Sequence, residues 1–143
     1  MEPVPVNYVA VLGAAVFSMV LGSLWYGPLL GNAWMKEMGY KSGKTMQDAM
    51  KKSMGMTYGL MFVGSLVMAW VLAHAMVFSG MFMKTDGLST GLMTGFFNWL
   101  GFVVPTSLGT VLWDGKSWKL WKINAGYYLL SLLGMGLILG MWQ

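Results

Sequence analysis

The stretch LGSLWYGPLLGNAWMKEMGY, residues 21–40, begins apolar and continues into aromatic residues, a Gly-Pro pair and the first lysine of the chain, Lys36. Such a segment is typical either of an active-site loop or of the place where a helix leaves a membrane. The residues before it favour the membrane, because residues 8–30 contain no charged side chain. About 20 apolar helical residues cross the ~30 Å hydrocarbon core of a bilayer. The stretch is therefore interpreted as the end of a transmembrane helix.

Composition extends this interpretation to the whole chain. The 143 residues are 57% hydrophobic and 10% charged, which lies outside the range of soluble globular domains. Uncharged runs predict four transmembrane helices, at approximately residues 8–30, 54–80, 88–112 and 123–142. Backbone groups in lipid must bond within their own segment, and the runs lack the alternation of membrane-barrel strands. We expect a single all-α membrane domain, residues 1–143, folded as a four-helix bundle.

Lysine placement predicts how these helices are oriented. The first and third connections lie on one side of the membrane and hold Lys36, Lys41, Lys44, Lys51, Lys52, Lys116, Lys119 and Lys122. The second connection holds Lys84. Short lysine-rich connections stay in the cytoplasm, so both termini are predicted to face outward from a multi-pass protein of the cell membrane. The inner lysines also suit contact with the negatively charged lipids of the inner leaflet.

Aromatic residues mark the expected membrane interfaces, because tryptophan and tyrosine favour the depth of the lipid headgroups. The candidate interface anchors are Trp25, Tyr26, Trp34, Trp113, Trp118 and Trp121. Gly27 and Pro28 are expected to bend or end the first helix, since proline lacks an N–H and disfavours helix before it. LGSLWYG at 21–27 and LGTVLWDG at 108–115 match with one inserted residue, which hints at duplicated, parallel helical hairpins.

Part of the first connection is also predicted to be helical. Thr45 and Asp48 have the spacing of a capping box. Met46, Met50 and Met54 then recur every four residues. We expect a helix from near Met46 that lies against the interface or runs directly into the second spanning helix. A buried apolar face is favoured for these methionines over a calmodulin-like binding face.

The chain resembles an uncharacterised bacterial membrane family, the domain-of-unknown-function family 1761, in four segments: WYGPLLGNAWM, AWVLAH, NWLGFVVPTSL and LWKINAGYYLLSLLGMGLILGMW. The resemblance extends over nearly the whole chain, in order and at similar spacing. It is most specific at the aromatic exit of the first helix and at the KxxxINAGY start of the fourth. Members often carry histidine where this chain has Tyr128, so a chemical role of that histidine is not expected here. The resemblance implies a small four-helix membrane protein and brings no activity with it.

The ionisable residues are placed unfavourably for catalysis. The chain has no cysteine, which excludes thiol catalysis and thiolate metal sites. His74 lies about 20 residues into the second helix, roughly 30 Å from the surface where Glu37 and Asp114 lie. Groups a membrane apart form neither a catalytic triad nor a metal site within one subunit. We expect no enzyme activity, no cofactor, no metal and no nucleic-acid partner, since the basic residues flank apolar helices.

Small residues on helix faces predict close helix packing. At 100° per residue, one face of the third helix carries Gly87, Gly91, Gly95, Asn98, Gly101, Phe102, Pro105 and Gly109. One stripe of the second helix carries Gly55, Gly59, Ala69 and Ala73. Helices in lipid associate by close backbone approach, which GxxxG spacing allows. The third helix is therefore predicted to be the centre of the bundle, with its glycines against another helix.

Asn98 is the most informative polar residue of the spans. It lies about 16 Å along its helix, near the middle of the bilayer, where an unpaired amide is costly. Its amide is expected to bond Ser131 or Tyr128 of the fourth helix and to fix helix register. A polar lining for a solute path, with Ser18, Ser131 and the backbone freed by Pro105, is the less favoured interpretation. The candidate intramembrane site consists of Asn98, Ser131, Tyr128, Pro105, Gly91 and Gly95.

Three functional hypotheses follow. The first is a non-enzymatic protein that works through helix association, as an accessory or scaffolding subunit of a larger membrane complex or as a homo-oligomer. The alternative is a small-solute channel or carrier with a path past Asn98 and Pro105, although the spans lack the Asp, Glu and Lys typical of ion-coupled transport. The third is an enzyme that acts on lipid at the inner leaflet through Asp48, Asp114 and nearby lysines.

Overall fold

The computed structural model describes residues 4–40, 54–85 and 87–142, and these ranges contain helices and no strand. Four stretches are long and apolar enough to cross a membrane: Tyr8–Leu29, Met54–Met83, Gly87–Leu112 and Trp118–Met141. The prediction of an all-α protein with four membrane-spanning helices is confirmed. The helix expected from near Met46, like Thr45, Asp48 and Met50, lies outside the described residues.

Each of the first and third spans is divided into shorter helices. The helices are α1 (Tyr8–Leu24), α2 (Gly31–Glu37), α3 (Met54–Met83), α4 (Gly87–Asn98), α5 (Val104–Ser107), α6 (Gly109–Leu112) and α7 (Trp118–Met141). Wider π-helical turns lie between α1 and α2, at Trp25–Leu29, and between α4 and α5, at Trp99–Val103. The second and fourth spans are continuous helices.

The first span bends where its Gly-Pro pair occurs. Gly27 leaves the helical conformation, with φ −100° and ψ −108°, and Pro28 follows it directly. Proline supplies no N–H and its ring crowds the carbonyl one turn earlier, so a regular helix cannot pass through this position unchanged. The predicted bend at Gly27 and Pro28 is confirmed, and it turns α2 away from the line of α1.

The third span also departs from regular geometry before its proline. Pro105 lies in the first turn of α5, directly after the π-helical turn. Hydroxyls of the next residues bond carbonyls of this distorted segment: Thr106 donates to the carbonyl of Phe102, and Ser107 donates to the carbonyl of Val104 at 3.2 Å. Such bonds from a Ser or Thr hydroxyl to a carbonyl three or four residues earlier are local to the helix and often accompany a bend.

The two ends of the bundle are defined by polar contacts between helix termini. At one end Asn7 caps α1 and also donates to the carbonyl of Trp142, 3.2 Å away, after the last turn of α7. At the other end Ser117 caps α7 and donates to a carboxylate oxygen of Glu37 at 2.5 Å. We call these the terminal end and the loop end. The first span therefore begins, and the fourth span ends, at the same end of the bundle, as four spans require.

The centre of the bundle is α7, and the prediction that the third span holds this place is wrong. Ten of the 24 residues of α7 are buried, against four of the 26 residues of the third span. In the second half of α7 the buried residues fall in adjacent pairs repeated every four residues: Ser131 and Leu132, Met135 and Gly136, Leu139 and Gly140. Such pairs bury two neighbouring faces, so α7 packs against α1 on one side and α4 on the other.

The remaining long helix, α3, packs on the outside of α1. Ala69 and Ala73 of α3 are fully buried in a cluster with Ala10 and Ala14 of α1. Alanine on both helices allows the two backbones to approach closely. Toward the terminal end α3 also meets α4, where Gly80 lies against the side chain of Thr90. The helices thus follow one another in the order α3, α1, α7, α4, with α3 and α4 in contact at the terminal end.

Candidate functional site

The crossing of α4 and α7 is a backbone-to-backbone contact between glycines. A Cβ added at Gly91 would overlap the carbonyl oxygen of Gly136, and one added at Gly136 would overlap that of Gly91. A Cβ at Gly95 would lie 2.6 Å from the carbonyl oxygen of Leu132, and one at Gly140 would lie 2.5 Å from that of Gly87. No side chain larger than hydrogen fits at these positions without moving a helix. The structure thus places Gly91 and Gly95 of the candidate site directly against α7.

On the other side of α7, three hydroxyl groups form a buried cluster in the middle of the bundle. Ser18 of α1 lies 2.7 Å from the hydroxyl of Ser131 and 3.1 Å from that of Tyr127, both on α7. Ser18 and Ser131 are fully buried, and Tyr127 is 5% exposed. The Tyr127 hydroxyl also donates to the carbonyl of Ser18 at 3.2 Å. Each hydroxyl therefore finds a partner away from water, which ties α1 to α7.

Two tryptophans bond the backbone at the beginning of α7 from opposite sides. The indole N–H of Trp25 donates to the carbonyl of Ile123 at 2.9 Å, and that of Trp99 donates to the carbonyl of Ala125 at 2.8 Å. Each tryptophan is the first residue of a π-helical turn. A Cβ at Gly126 would lie 3.3 Å from the Trp25 ring, so the lack of a side chain at Gly126 allows this ring to pack closely against α7.

Two further aromatic residues near the loop end also make bonds between helices. Tyr26 donates to the side-chain oxygen of Asn124 at 3.0 Å, and the indole of Trp121 donates to the Ser107 hydroxyl at 2.8 Å. Trp34 packs edge-on against Tyr26, with ring centroids 5.8 Å apart. These contacts give Trp25, Tyr26 and Trp121 a packing role in addition to the predicted role of interface anchors.

The other two predicted anchors have free surfaces. Trp113 is 87% exposed and Trp118 is 53% exposed, both at the loop end. Aromatic rings exposed at the end of a spanning helix are available to lipid headgroups. Their role as interface anchors stays a prediction.

Asn98 does not make the expected bond with Ser131 or Tyr128. Its amide nitrogen donates to the carbonyl of Thr94, 2.8 Å away and one turn earlier in the same helix. Ser131 is paired with Ser18 instead, because it lies on the face of α7 that meets α1. Tyr128 is 37% exposed, since the tyrosine that turns into the core is its neighbour Tyr127. Asn98 thus stays on the α4 side and lines a cavity between α3 and α4.

The glycine face expected along the whole third span ends at Asn98. Among the described residues, no atom lies within 4 Å of the place where a Cβ of Gly101 would be, and Phe102 is 68% exposed. Pro105 is exposed as well. The π-helical turn Trp99–Val103 adds a residue to one turn, so the following residues are rotated by about 100° relative to a regular helix. Trp99 and Val103 take the inward positions and pack against the core cluster.

The one histidine and the acidic residues of the described ranges do not converge on a common site. His74 is on α3, and its Nδ1 donates to the carbonyl of Trp70 at 2.8 Å. Asp114 is exposed at the loop end. Within residues 4–40, 54–85 and 87–142, no three His, Asp or Glu side chains converge as a metal site would require.

One ion pair links α2 to α7 outside the spanning segments. The Lys119 ammonium lies 3.4 Å from a carboxylate oxygen of Glu37, whose other oxygen accepts the hydrogen bond from Ser117. The Ser117 hydroxyl and the Lys119 charge hold the pKa of Glu37 below its usual range. Because Lys119 is largely exposed, the ion pair contributes little to the stability of the folded protein. Its main effect is to hold the end of α2 beside the beginning of α7.

Two residues that hold α7 against its neighbours, Trp99 and Tyr127, are not among the site residues predicted from the sequence. Trp99 lies near the middle of the third span, far from the headgroup depth at which tryptophan is favoured. A tryptophan at that depth needs a hydrogen-bond acceptor for its N–H, and lipid tails offer none. Its position in the middle of the span therefore predicts an indole that faces the protein interior. Tyr127 and Tyr128 are adjacent, and sequence alone does not show which of the two faces the core.

The fold and the candidate site define an all-helical protein whose four long helices can span a membrane and pack through glycines, alanines and a few buried polar groups. The chain belongs to the DUF1761 family, described as a protein of unknown function, whose family model matches residues 9–140. The resemblance to this family is thereby confirmed. Comparisons with curated proteins and with solved structures gave no match.

Proposed function

We propose that the protein works through helix association in the cell membrane, as an accessory or scaffolding subunit of a larger complex or as a homo-oligomer, and that it is not an enzyme. The observation that supports this most is a single face of α3. That face is packed against α1 toward the terminal end, whereas toward the loop end no residue of the described ranges covers it.

The open part continues an established helix contact. Ala69 and Ala73 are 0% and 1% exposed against α1. At 100° per residue, Gly55 and Gly59 fall on the same face, about three to five turns earlier. Among the described residues, no atom lies within 4 Å of the place where a Cβ of Gly55 or Gly59 would be. The small-residue face of α3 is therefore longer than the part that α1 covers.

Glycine on an uncovered helix face has an energetic disadvantage. It destabilises a helix by about 1 kcal/mol relative to alanine. Where α4 crosses α7, glycines allow backbone contact that offsets this. Gly55 and Gly59 have the same disadvantage without a contact in the described part of the chain. A helix of a second polypeptide, crossing α3 at this GxxxG spacing, would provide the contact.

The proposed setting is a cell membrane with the loop end in the cytoplasm. Lys36, Lys116, Lys119 and Lys122 lie at the loop end, whereas Lys84 lies at the terminal end. Lysines placed in this way favour a cytoplasmic loop end and contact with anionic lipids. Membrane lipids and a partner helix are thus the proposed partners.

The test is the mass of the assembly after gentle solubilisation. We expect native mass spectrometry to show a homo-oligomer or a complex with a defined partner. Gly59→Leu should abolish it, because leucine prevents close approach on the open face. Gly64→Leu is the matched control: five residues on, its side chain is turned by about 140° and should leave the assembly intact. A wild-type chain found as a single copy without partners contradicts the proposal.

A second candidate function, passage of a small solute, is favoured by the cavity beside Asn98. This cavity measures about 80 Å³ and lies between α3 and α4. If solute passes here, Asn98→Leu should change glycerol flux into reconstituted vesicles more than it changes thermal stability. If the chain works by association alone, the same substitution should leave flux at the level of protein-free vesicles.

A further inference from the structure

The cavity between α3 and α4 has an apolar part, formed by Met83, Met93 and Phe97, and a polar part formed by hydroxyl and amide groups. Its polar residues are Ser79 of α3, Thr85 in the connection, and Thr90, Thr94 and Asn98 of α4. Thr90 donates to the Thr85 hydroxyl at 2.9 Å. None of the described lining residues is ionisable. Such a set of groups suits an uncharged molecule that both donates and accepts hydrogen bonds.

One of these groups has no partner among the described residues. Thr94 is 5% exposed, and its hydroxyl oxygen is buried without a hydrogen bond. A threonine inside a helix can usually satisfy its hydroxyl through the carbonyl one turn earlier, and Thr94 does not. Buried polar groups are nearly always bonded to protein or to an ordered small molecule. The Thr94 hydroxyl is therefore available to bond a small molecule in the cavity.

Asn98 lies one turn further along α4 and also lines the cavity, and its side-chain amide can make further hydrogen bonds. One amide hydrogen goes to the carbonyl of Thr94. A side-chain amide has two donors and an oxygen with two lone pairs, so further groups of Asn98 are available to a bound molecule. Thr94 and Asn98 together can give and accept hydrogen bonds at the inner part of the cavity.

The size and position of the cavity allow a small molecule to enter. Its volume of about 80 Å³ exceeds the roughly 10–15 Å³ that one water molecule needs. A larger cleft of about 550 Å³ opens at the terminal end beside Asn7 and Trp142. Thr85 and Thr90 line both spaces. The cleft and the cavity are therefore neighbours, separated by these two hydrogen-bonded threonines.

We propose that this cavity is a hydrated binding site for a small uncharged solute with several hydrogen-bonding groups, of the size of glycerol, held by Thr94 and Asn98. The site goes beyond the proposed function, because it needs neither oligomer formation nor passage across the membrane. Its failure would leave the open face of α3 and the mass of the assembly unaffected.

The test uses the absence of cysteine, which makes any introduced thiol unique. Methanethiosulfonate-ethylammonium reacts with thiols that contact water. In reconstituted vesicles, Thr94→Cys should react at least tenfold faster than Leu92→Cys. Leu92 is more exposed, at 39%, but it is turned by about 200° from Thr94 and faces away from the cavity. Glycerol should slow the reaction of Ser79→Cys, a cavity variant that keeps both Thr94 and Asn98, several-fold, while sucrose at equal osmolality should not.

Ser79→Cys provides a second thiol in the same cavity, on α3, in case Thr94→Cys does not fold. Folding of each variant is checked by its elution as a single species in detergent. Reaction of both cavity thiols no faster than Leu92→Cys would show a dry cavity and overturn the proposal. Fast reaction that glycerol does not slow would show water alone, and would overturn the solute site.

Discussion

At the scale of single residues, Ser18 holds the most connected position of the buried hydroxyl cluster. Its side chain contacts both Ser131 and Tyr127. Hydrogen bonds between membrane helices contribute about 0.6 kcal/mol on average and up to about 1.7. Removing the Ser18 hydroxyl leaves that of Ser131 buried without this partner, whereas Tyr127 keeps its bond to the carbonyl of residue 18. The cluster therefore links α1 to α7 through a few weak bonds that depend on one another.

We predict that Ser18→Ala lowers the free energy of unfolding by about 1–2 kcal/mol, measured by thermal unfolding in detergent micelles. Ser23→Ala is the matched control on the same helix. The Ser23 hydroxyl is exposed and bonds the carbonyl of Met19 in its own helix, so its loss should change stability by less than about 0.5 kcal/mol. Equal effects of the two substitutions would contradict a packing role for the cluster.

The lowered pKa of Glu37 predicts a pH dependence of stability. The Ser117 hydroxyl and Lys119 favour the ionised carboxylate in the folded protein. Their contribution is complete above about pH 4.3, the usual value for glutamate, and is lost as the pH falls through the lowered pKa of the folded state. Glu37→Gln should therefore melt below the wild type at pH 7, and the difference should shrink in acid. A difference that stays constant down to about pH 3 would argue against this contact.

At the scale of helices, the α4–α7 crossing should tolerate no side chain at its glycines. Gly95→Leu should destabilise the bundle by about 1–3 kcal/mol or more, because the new side chain meets the carbonyl of Leu132. Phe96→Leu, at a residue that is 41% exposed, should have an effect within about 0.5 kcal/mol. Unfolding in micelles measures both. Similar stability of the two variants would mean that α4 and α7 do not cross at Gly95.

Helix number and helix ends could be predicted from sequence because charge and proline interrupt the apolar runs. Which face each helix buries was harder, since lipid and the protein interior are equally apolar and large residues give no contrast between them. In the third span, small residues mark the buried face correctly as far as Asn98. Beyond it, the π-helical turn Trp99–Val103 rotates the rest of this face outward.

The sequence of α7 does contain a pattern that indicates its central position. Small or polar residues recur along it at Ser131, Gly134, Gly136 and Gly140, at spacings that place them on two contact faces instead of one. The partner of Asn98 could not be predicted from depth alone. Residues at the same depth in the membrane are possible partners. Whether Asn98 bonds one of them depends on which side of α7 that residue faces.

At the scale of the whole molecule, the eight-to-one division of lysines predicts that the loop end is cytoplasmic. Cysteines introduced at Ser42 and Ser117 should react with impermeant thiol reagents only after the inner side of the membrane is exposed. Ser89→Cys, exposed near the terminal end, should react in sealed cells and serves as the opposite-side control. Labelling of Ser42→Cys or Ser117→Cys in sealed cells would reverse the orientation.

The central position of α7 has a consequence for biosynthesis. A ribosome completes the helices in chain order, so α1, α3 and α4 are synthesised before the helix that joins α1 to α4. Membrane helices first insert individually and then associate. Until α7 emerges, α4 has no partner for Gly91 and Gly95, and α1 has none for Ser18. The contacts of these residues are thus completed only when α7 is in place, and a chain interrupted before α7 lacks them.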